Sequence, residues 1–280
     1  MGQVISFGDS FCVGLGTDRK HESSLTGGHP DWQTMSDDEK NKRRREANLF
    51  RRQNSFTAFL AQKLKMEWQN HGRTGCNNQH IINKIFEHDF KIGFNKDDII
   101  LVSFTSSLRD KPSWMPDTIT KNTYNGIAFS FGEIFRYLNQ LQNLVWKDDN
   151  VSKKYDNFTR DYFSRFIIEF WDERYYQMKN TWMISLIQHL FNTRGVKYIL
   201  MDGFEEMLSQ KNKYLDYNFY WGYNDFGRSK LTIHDYLKSF QDDSLLELDG
   251  WNMNDAKKHP SKKGHEIFAD ELLRFYNEVY

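Results

Sequence analysis

The chain has 280 residues, enough for one large domain or two small ones, with a core that needs no covalent staples. It carries 38 basic and 38 acidic residues, a formal net charge of zero, so no general attraction to nucleic acid or to anionic membrane is indicated. Two cysteines, Cys12 and Cys76, do not make a disulfide framework, no apolar run is long enough for a membrane span, and the first residues lack a signal peptide's basic start and apolar stretch. The expectation is a reduced, non-spanning protein of the cytoplasm, or of another compartment reached without a signal peptide. Met1-Gly2-Gln3-Val4-Ile5-Ser6 fits the N-myristoylation pattern, but a strand starting at once leaves no free arm to acylate.

That strand is Gln3 to Phe7, β-branched and aromatic, broken at Gly8. Residues from about 17 to 53 form a long polar insertion, whose second half, Asp37 to Phe50, has helical character. Phe56 to Leu64 spaces its apolar residues as a helix does, and Met66 to Gln69 reads as a second short strand. Asn78 to Phe90 is a helix with Ile81, Ile82, Ile85 and Phe86 on one side. Ile99 to Phe104 is a continuous apolar run, as a strand buried on both faces requires, and Val196 to Met201 is another. Between them, within an insertion at about 111–193, Gly126 to Leu144 and Phe158 to Phe191 read as aromatic-rich helices. Leu245 to Leu248 is a candidate fifth strand, and Gly264 to Val279 a closing amphipathic helix with Phe268 and Leu272 inward. Strands alternating with helices predict a single α/β domain over residues 1–280, a three-layer α/β/α sandwich of flavodoxin-like type around a mostly parallel sheet of about five strands. Ligands in such sheets bind beyond the carboxyl ends of the strands.

Three motifs fall at those ends. Phe7-Gly8-Asp9-Ser10 follows the first strand, and Asn70-His71-Gly72-Arg73-Thr74-Gly75 the second. Asp255-Ala256-Lys257-Lys258-His259-Pro260-Ser261 precedes the last helix, with Gly264-His265 just inside it. A serine becomes a nucleophile beside a base that takes its proton, and a carboxylate then orients that base. The Ser, Asp, His order also occurs in α/β-hydrolases, but those place the serine in a G-x-S-x-G elbow midway along the sequence, which Gly8-Asp9-Ser10-Phe11-Cys12 is not.

The combination resembles the SGNH (GDSL-type) hydrolase family, from the first strand to the last helix, with the middle third matching nothing specific. The resemblance implies a serine esterase working through an acyl-enzyme on an acyl ester, such as an O-acetyl group on a carbohydrate, and needing no cofactor and no metal. Ser10 would be the nucleophile, His259 the general base and Asp255 the acid that orients it. The oxyanion hole would draw on the backbone N–H groups of Ser10 and Gly75. Two departures stand out. The family's third block supplies an Asn to the oxyanion hole, whereas here the third strand runs into Thr105-Ser106-Ser107-Leu108-Arg109; Thr105 falls near the Asn position, with Ser106 and Ser107 as competitors. Asp255 and His259 have three residues between them where the family has two, so Asp249 is the alternative orienting acid.

Structural roles compete for the same residues. Ser10 could cap the helix that follows, and His259 could serve a turn before Pro260. His265 reads as structural. The Lys42-Arg43-Arg44-Arg45 run with Arg51-Arg52 sits beside acids and reads as a salt-bridged, solvated helix rather than a polyanion site. Gly14-Leu15-Gly16 is too incomplete for a phosphate loop. The expected partner is therefore a small acyl ester or O-acylated glycan, without nucleic acid. The alternative is an SGNH-like module of weakened catalysis that binds a glycan or serves as a structural component.

Overall fold

The structure, a computed structural model, describes residues 2–17, 29–74, 76–105, 173–203, 213–223, 231–248 and 258–280. In sequence order these form β1 (Gln3–Gly8), α1 (Ser10–Val13), α2 (Asp37–Gln53), α3 (Phe56–Leu64), β2 (Glu67–Asn70), α4 (Asn78–Lys91), β3 (Ile99–Phe104), α5 (Glu173–Arg194) and β4 (Lys197–Asp202). They continue with α6 (Ile233–Ser239), a 3-10 turn at Asp243–Leu245, β5 (Leu246–Leu248), β6 (Lys258–Pro260) and α7 (Lys262–Val279). The expected helix at 126–144, and the expected helical stretch from 158 up to the start of α5, lie outside the described residues.

The four long strands pair in parallel in the order β2-β1-β3-β4. Parallel strands need crossovers, and the helices that supply them cover both faces. Alternate residues of each strand therefore enter separate cores. Ile5, Phe7, Ile100, Val102, Tyr198 and Leu200 pack with Ile81 and Ile85 of α4 and Ile184 and Phe191 of α5. Val4, Ile99, Leu101, Ile199 and Met201 pack with Phe56 and Leu60 of α3, Leu237 of α6, and Phe268 and Leu272 of α7. The result is a three-layer α/β/α sandwich. The expected fifth strand does form at Leu246–Leu248, but it pairs antiparallel with β6 in a separate two-stranded ribbon instead of extending the sheet.

Three close approaches fix the termini of these elements. Gly2 is buried, and a Cβ there would meet the Asp97 carbonyl oxygen at 2.0 Å, so the first glycine is packed rather than held on a free arm. At the start of α7 the Ser261 hydroxyl caps the Gly264 N–H and donates to the Ser244 carbonyl, at 3.1 and 2.6 Å. A Cβ on Gly264 would fall 2.3 Å from the Leu245 carbonyl oxygen, so glycine lets α7 press against the turn ahead of β5. At the β4 flank, the Tyr280 hydroxyl accepts from the Tyr198 N–H at 2.8 Å and donates to the Tyr198 carbonyl at 3.1 Å. Two residues further along, the Leu200 N–H donates to the Phe219 carbonyl and the Leu200 carbonyl accepts from the Trp221 N–H, at 2.9 and 2.8 Å.

Candidate active site

The chain leaves β1 for β2 on one side and then for β3 on the other, so the strand order switches direction beside β1. A crevice opens beyond the carboxyl ends of the strands at such a point. Gly8 pairs with Ser103, so β1 and β3 end side by side, with Ser10 and Thr105 each two residues past that pair. A Cβ on Gly8 would lie 2.5 Å from the Cys12 Cβ and 2.8 Å from the Ser103 carbonyl oxygen; only glycine lets α1 turn back so tightly onto β1 and β3.

Asp9 is the N-cap of α1: its carboxylate accepts from the Phe11 N–H at 3.0 Å, and its carbonyl accepts from the Val13 N–H at 3.0 Å. Neither bond uses the N–H of Ser10, the first residue of the helix. Ser10 is thus not the cap that the structural reading supposed. Its hydroxyl is buried and lies 2.9 Å from the Nε2 of His259, a residue 249 positions away in the sequence. His259 arrives on β6, pairs with Glu247 of β5, and packs its ring on Phe11 with 5.1 Å between centroids. Gly16, at φ +93°, passes beneath it, and a Cβ there would sit 3.0 Å from the His259 Cβ and from the Pro260 carbonyl oxygen. The Gly14-Leu15-Gly16 stretch is thereby explained by packing. Gly14 ends α1 in the left-handed conformation at φ +87°, and a Cβ on it would meet the Arg51 carbonyl oxygen at 2.3 Å.

The second motif wraps α1 from the β2 side. Asn70 is buried and fully engaged: its Nδ2 donates to the Cys12 carbonyl at 2.7 Å and to the Ser55 hydroxyl at 3.0 Å, and its Oδ1 accepts from the Gly72 N–H at 2.9 Å. Gly75 lies outside the described residues. The residues around it are tethered near the nucleophile, for the Arg73 N–H donates to the Gly8 carbonyl at 2.9 Å and the Cys76 thiol to the same oxygen at 3.4 Å. Thr105 is buried, and its backbone is clamped at both groups by the Asn78 side chain, with two bonds of 2.9 Å. Ser106, Ser107, Arg109, Asp249 and Asp255 lie outside the described residues.

The Asn78 clamp, the Phe11 ring contact and the Gly16 approach had no signature in the sequence. Asn77-Asn78 reads only as a helix start, and Asn77 does cap α4 through the His80 N–H at 2.8 Å. The clamp spans 27 residues, a separation at which no local pattern operates.

Burial keeps two titratable groups near the site, Cys12 and His265, in their neutral forms at neutral pH. Burial pushes the Cys12 thiol up to about 12, so it is no thiolate nucleophile at neutral pH, and neither cysteine is in a disulfide. His265 is fully buried, its Nδ1 accepts from the Phe56 N–H at 3.3 Å, and burial together with the His259 charge lowers it to about 3. It joins α7 to α3, a structural contact. A groove of about 400 Å³ between Gln53, Phe59, Gln62, Met66 and Trp68 shares no residue with this crevice. Among the described residues no group of His, Cys, Asp and Glu is arranged to hold a metal ion, and no helix is long and apolar enough to cross a membrane.

No protein-family pattern matches the chain, and no curated protein matches it. Among solved structures it is similar to a protein assigned to the lipolytic G-D-S-L family from Desulfitobacterium hafniense DCB-2, at 14% identity over 98% of this chain and 99% of that one. The TM-score of that pair is 0.35, too low to carry a functional argument, so the reading of the site rests on its own residues.

Proposed function

We propose that residues 1–280 form one serine hydrolase domain of SGNH type that cleaves an acyl ester through an acyl-enzyme. The observation that carries this reading is the 2.9 Å contact between the Ser10 hydroxyl and His259 Nε2, in a buried site at the switch point of a parallel sheet. A serine hydroxyl that donates to a neutral imidazole is set up to lose its proton as it attacks a carbonyl. With Nε2 as acceptor, the ring proton sits on Nδ1, where a carboxylate would hold it; Asp255 is assigned that role, and Asp249 is its alternative. The oxyanion is assigned to the N–H groups of Ser10 and Gly75 and to the Thr105 hydroxyl. Supporting this are the side-by-side ends of β1 and β3, which Ser10 and Thr105 closely follow, and the tethering of Arg73 and Cys76 to the Gly8 carbonyl. By the SGNH resemblance the substrate is a small acyl ester, with an O-acetyl group on a glycan as the particular case.

Purified protein is expected to hydrolyse 4-nitrophenyl acetate and to be labelled by a fluorophosphonate probe, and Ser10→Ala to lose both with an unchanged circular dichroism spectrum. Wild-type protein that neither turns over short acyl esters nor takes the probe would overturn the hydrolase reading in favour of a glycan-binding or structural module.

A further inference from the structure

We propose that Asn78 is a positioning residue of the candidate esterase: its carboxamide holds the Thr105 backbone so that the Thr105 hydroxyl meets the oxyanion. This deepens the hydrolase reading and rests on it. Where β1 turns into α1 after Gly8, the chain beyond β3 loses the strand that had paired with it. Its backbone groups still need partners, because Phe104 and Thr105 are both buried. The Phe104 carbonyl accepts from the Gly203 N–H at 2.9 Å. Thr105 is met by one side chain: Asn78 Oδ1 accepts from its N–H and Asn78 Nδ2 donates to its carbonyl, both at 2.9 Å. A primary amide carries a donor and an acceptor side by side, so Asn78 does for Thr105 what a paired strand does for β3.

Asn78 is itself fixed. It is 4% exposed and is the first residue of α4, which Ile81, Ile82 and Ile85 bury against the sheet. Its neighbour Asn77 caps that helix through the His80 N–H, so the cap and the clamp are separate tasks of adjacent asparagines. Just ahead, the Arg73 N–H and the Cys76 thiol both reach the Gly8 carbonyl, two residues before Ser10. Arg73, Cys76 and Asn78 therefore tie the end of β1 to the end of β3. The Thr105 N–H is committed to Asn78, which leaves the hydroxyl as the donor this residue can offer an oxyanion. Such a donor lowers a barrier only when it is held in place before charge develops, and a displacement of about 1 Å is costly.

The test is a double-mutant cycle on 4-nitrophenyl acetate, with kcat per folded enzyme and KM measured separately. Asn78→Ala should lower kcat by about tenfold or more and leave KM within about twofold, because the donor acts on the transition state alone. In a Thr105→Val background the same substitution should have less than about a twofold effect, since the hydroxyl it positions is gone. Asn77→Ala should lower the urea midpoint through the lost cap and leave kcat unchanged. Asn78→Asp adds a pH signature. Its carboxylate would set a second acceptor against the Thr105 carbonyl, whereas its protonated form restores the donor, and burial favours that neutral form. The kcat of Asn78→Asp relative to wild type should therefore rise at least about threefold from about pH 8 to about pH 5.5, His259 protonation cancelling in the ratio. Asn78→Asp is isosteric, so it carries the test alone if Asn78→Ala does not fold. Effects of Asn78→Ala and Thr105→Val that multiply, or a ratio flat with pH, overturn the positioning role while the esterase stands. Wild-type protein with neither turnover nor fluorophosphonate labelling removes the hydrolase reading, and this role with it.

Discussion

Ser10 and His259 could be paired from sequence because their neighbours are short and local: a glycine that permits the turn before Ser10, and a Pro and a capping Ser after His259. The oxyanion donor is a different case, since its identity depends on where a side chain stands after β3, which only strand register settles. The adjacent ends of β1 and β3 at the Gly8–Ser103 pair, and the Asn78 clamp on the Thr105 backbone, make Thr105 the residue to change. Thr105→Val keeps the shape and removes the hydroxyl donor; turnover of 4-nitrophenyl acetate should fall roughly a hundredfold, about 3 kcal/mol, with little change in KM. Ser106→Ala and Ser107→Ala are the controls. A loss confined to either of them would move the donor one or two residues along the sequence, and no loss in any of the three would leave a hole built from backbone alone.

At the scale of elements, the apolar runs and helical spacings placed β1, β3, β4, α2, α3, α4 and α7 to within a few residues, because each has one or two faces that must be buried. Two elements that matter for the site escaped. The strand β6 is three residues long, contains Pro260 and has no alternation to read, and α6 spans seven residues, too few for a helical period to register. The strand β5 is legible in the sequence, but it lies in a separate antiparallel ribbon with β6 and not in the parallel sheet. Its pairing with β6 is what carries His259 to Ser10, so the ribbon is an arm of the candidate site. Gly264→Ala tests that arm: its Cβ would collide with the Leu245 carbonyl and push α7 away from the turn that leads into β5. Stability to urea should drop by about 1–3 kcal/mol, and esterase activity should fall further than the unfolded fraction explains.

For the molecule as a whole, buried neutral histidines set the response to acid. His71 lies flat on Phe7 at 5.0 Å and edge-on to His88 at 5.2 Å, and His88 stacks on Phe94 at 4.9 Å. Burial, reinforced by the His88 charge, holds His71 down to about 4; burial lowers His88 too, and His265 sits at about 3. An unfolded chain protonates these rings near their usual 6.5, so the unfolded state binds more protons at lower pH. Stability should therefore be level above pH 7, decline as pH falls from about 6.5 to about 4, and keep declining toward 3 as His265 is forced to charge. The loss should be of the order of a few kcal/mol, read from urea midpoints across pH. His71→Phe should flatten the upper part of that decline; an unchanged profile would assign the acid response to other groups. The Tyr280 hydroxyl has a consequence of another kind. A sheet ends in two rims, and an unoccupied rim is where a second molecule can add its own backbone and begin a fibril. On the β2 side the rim is four residues long and opens with the exposed Glu67. On the β4 side, one phenol occupies both hydrogen-bonding groups of Tyr198, and the 219–221 segment occupies those of Leu200. The Tyr280 side chain thus acts as a stopper against templated self-association at this rim, through a contact separate from the Ser10–His259 pair.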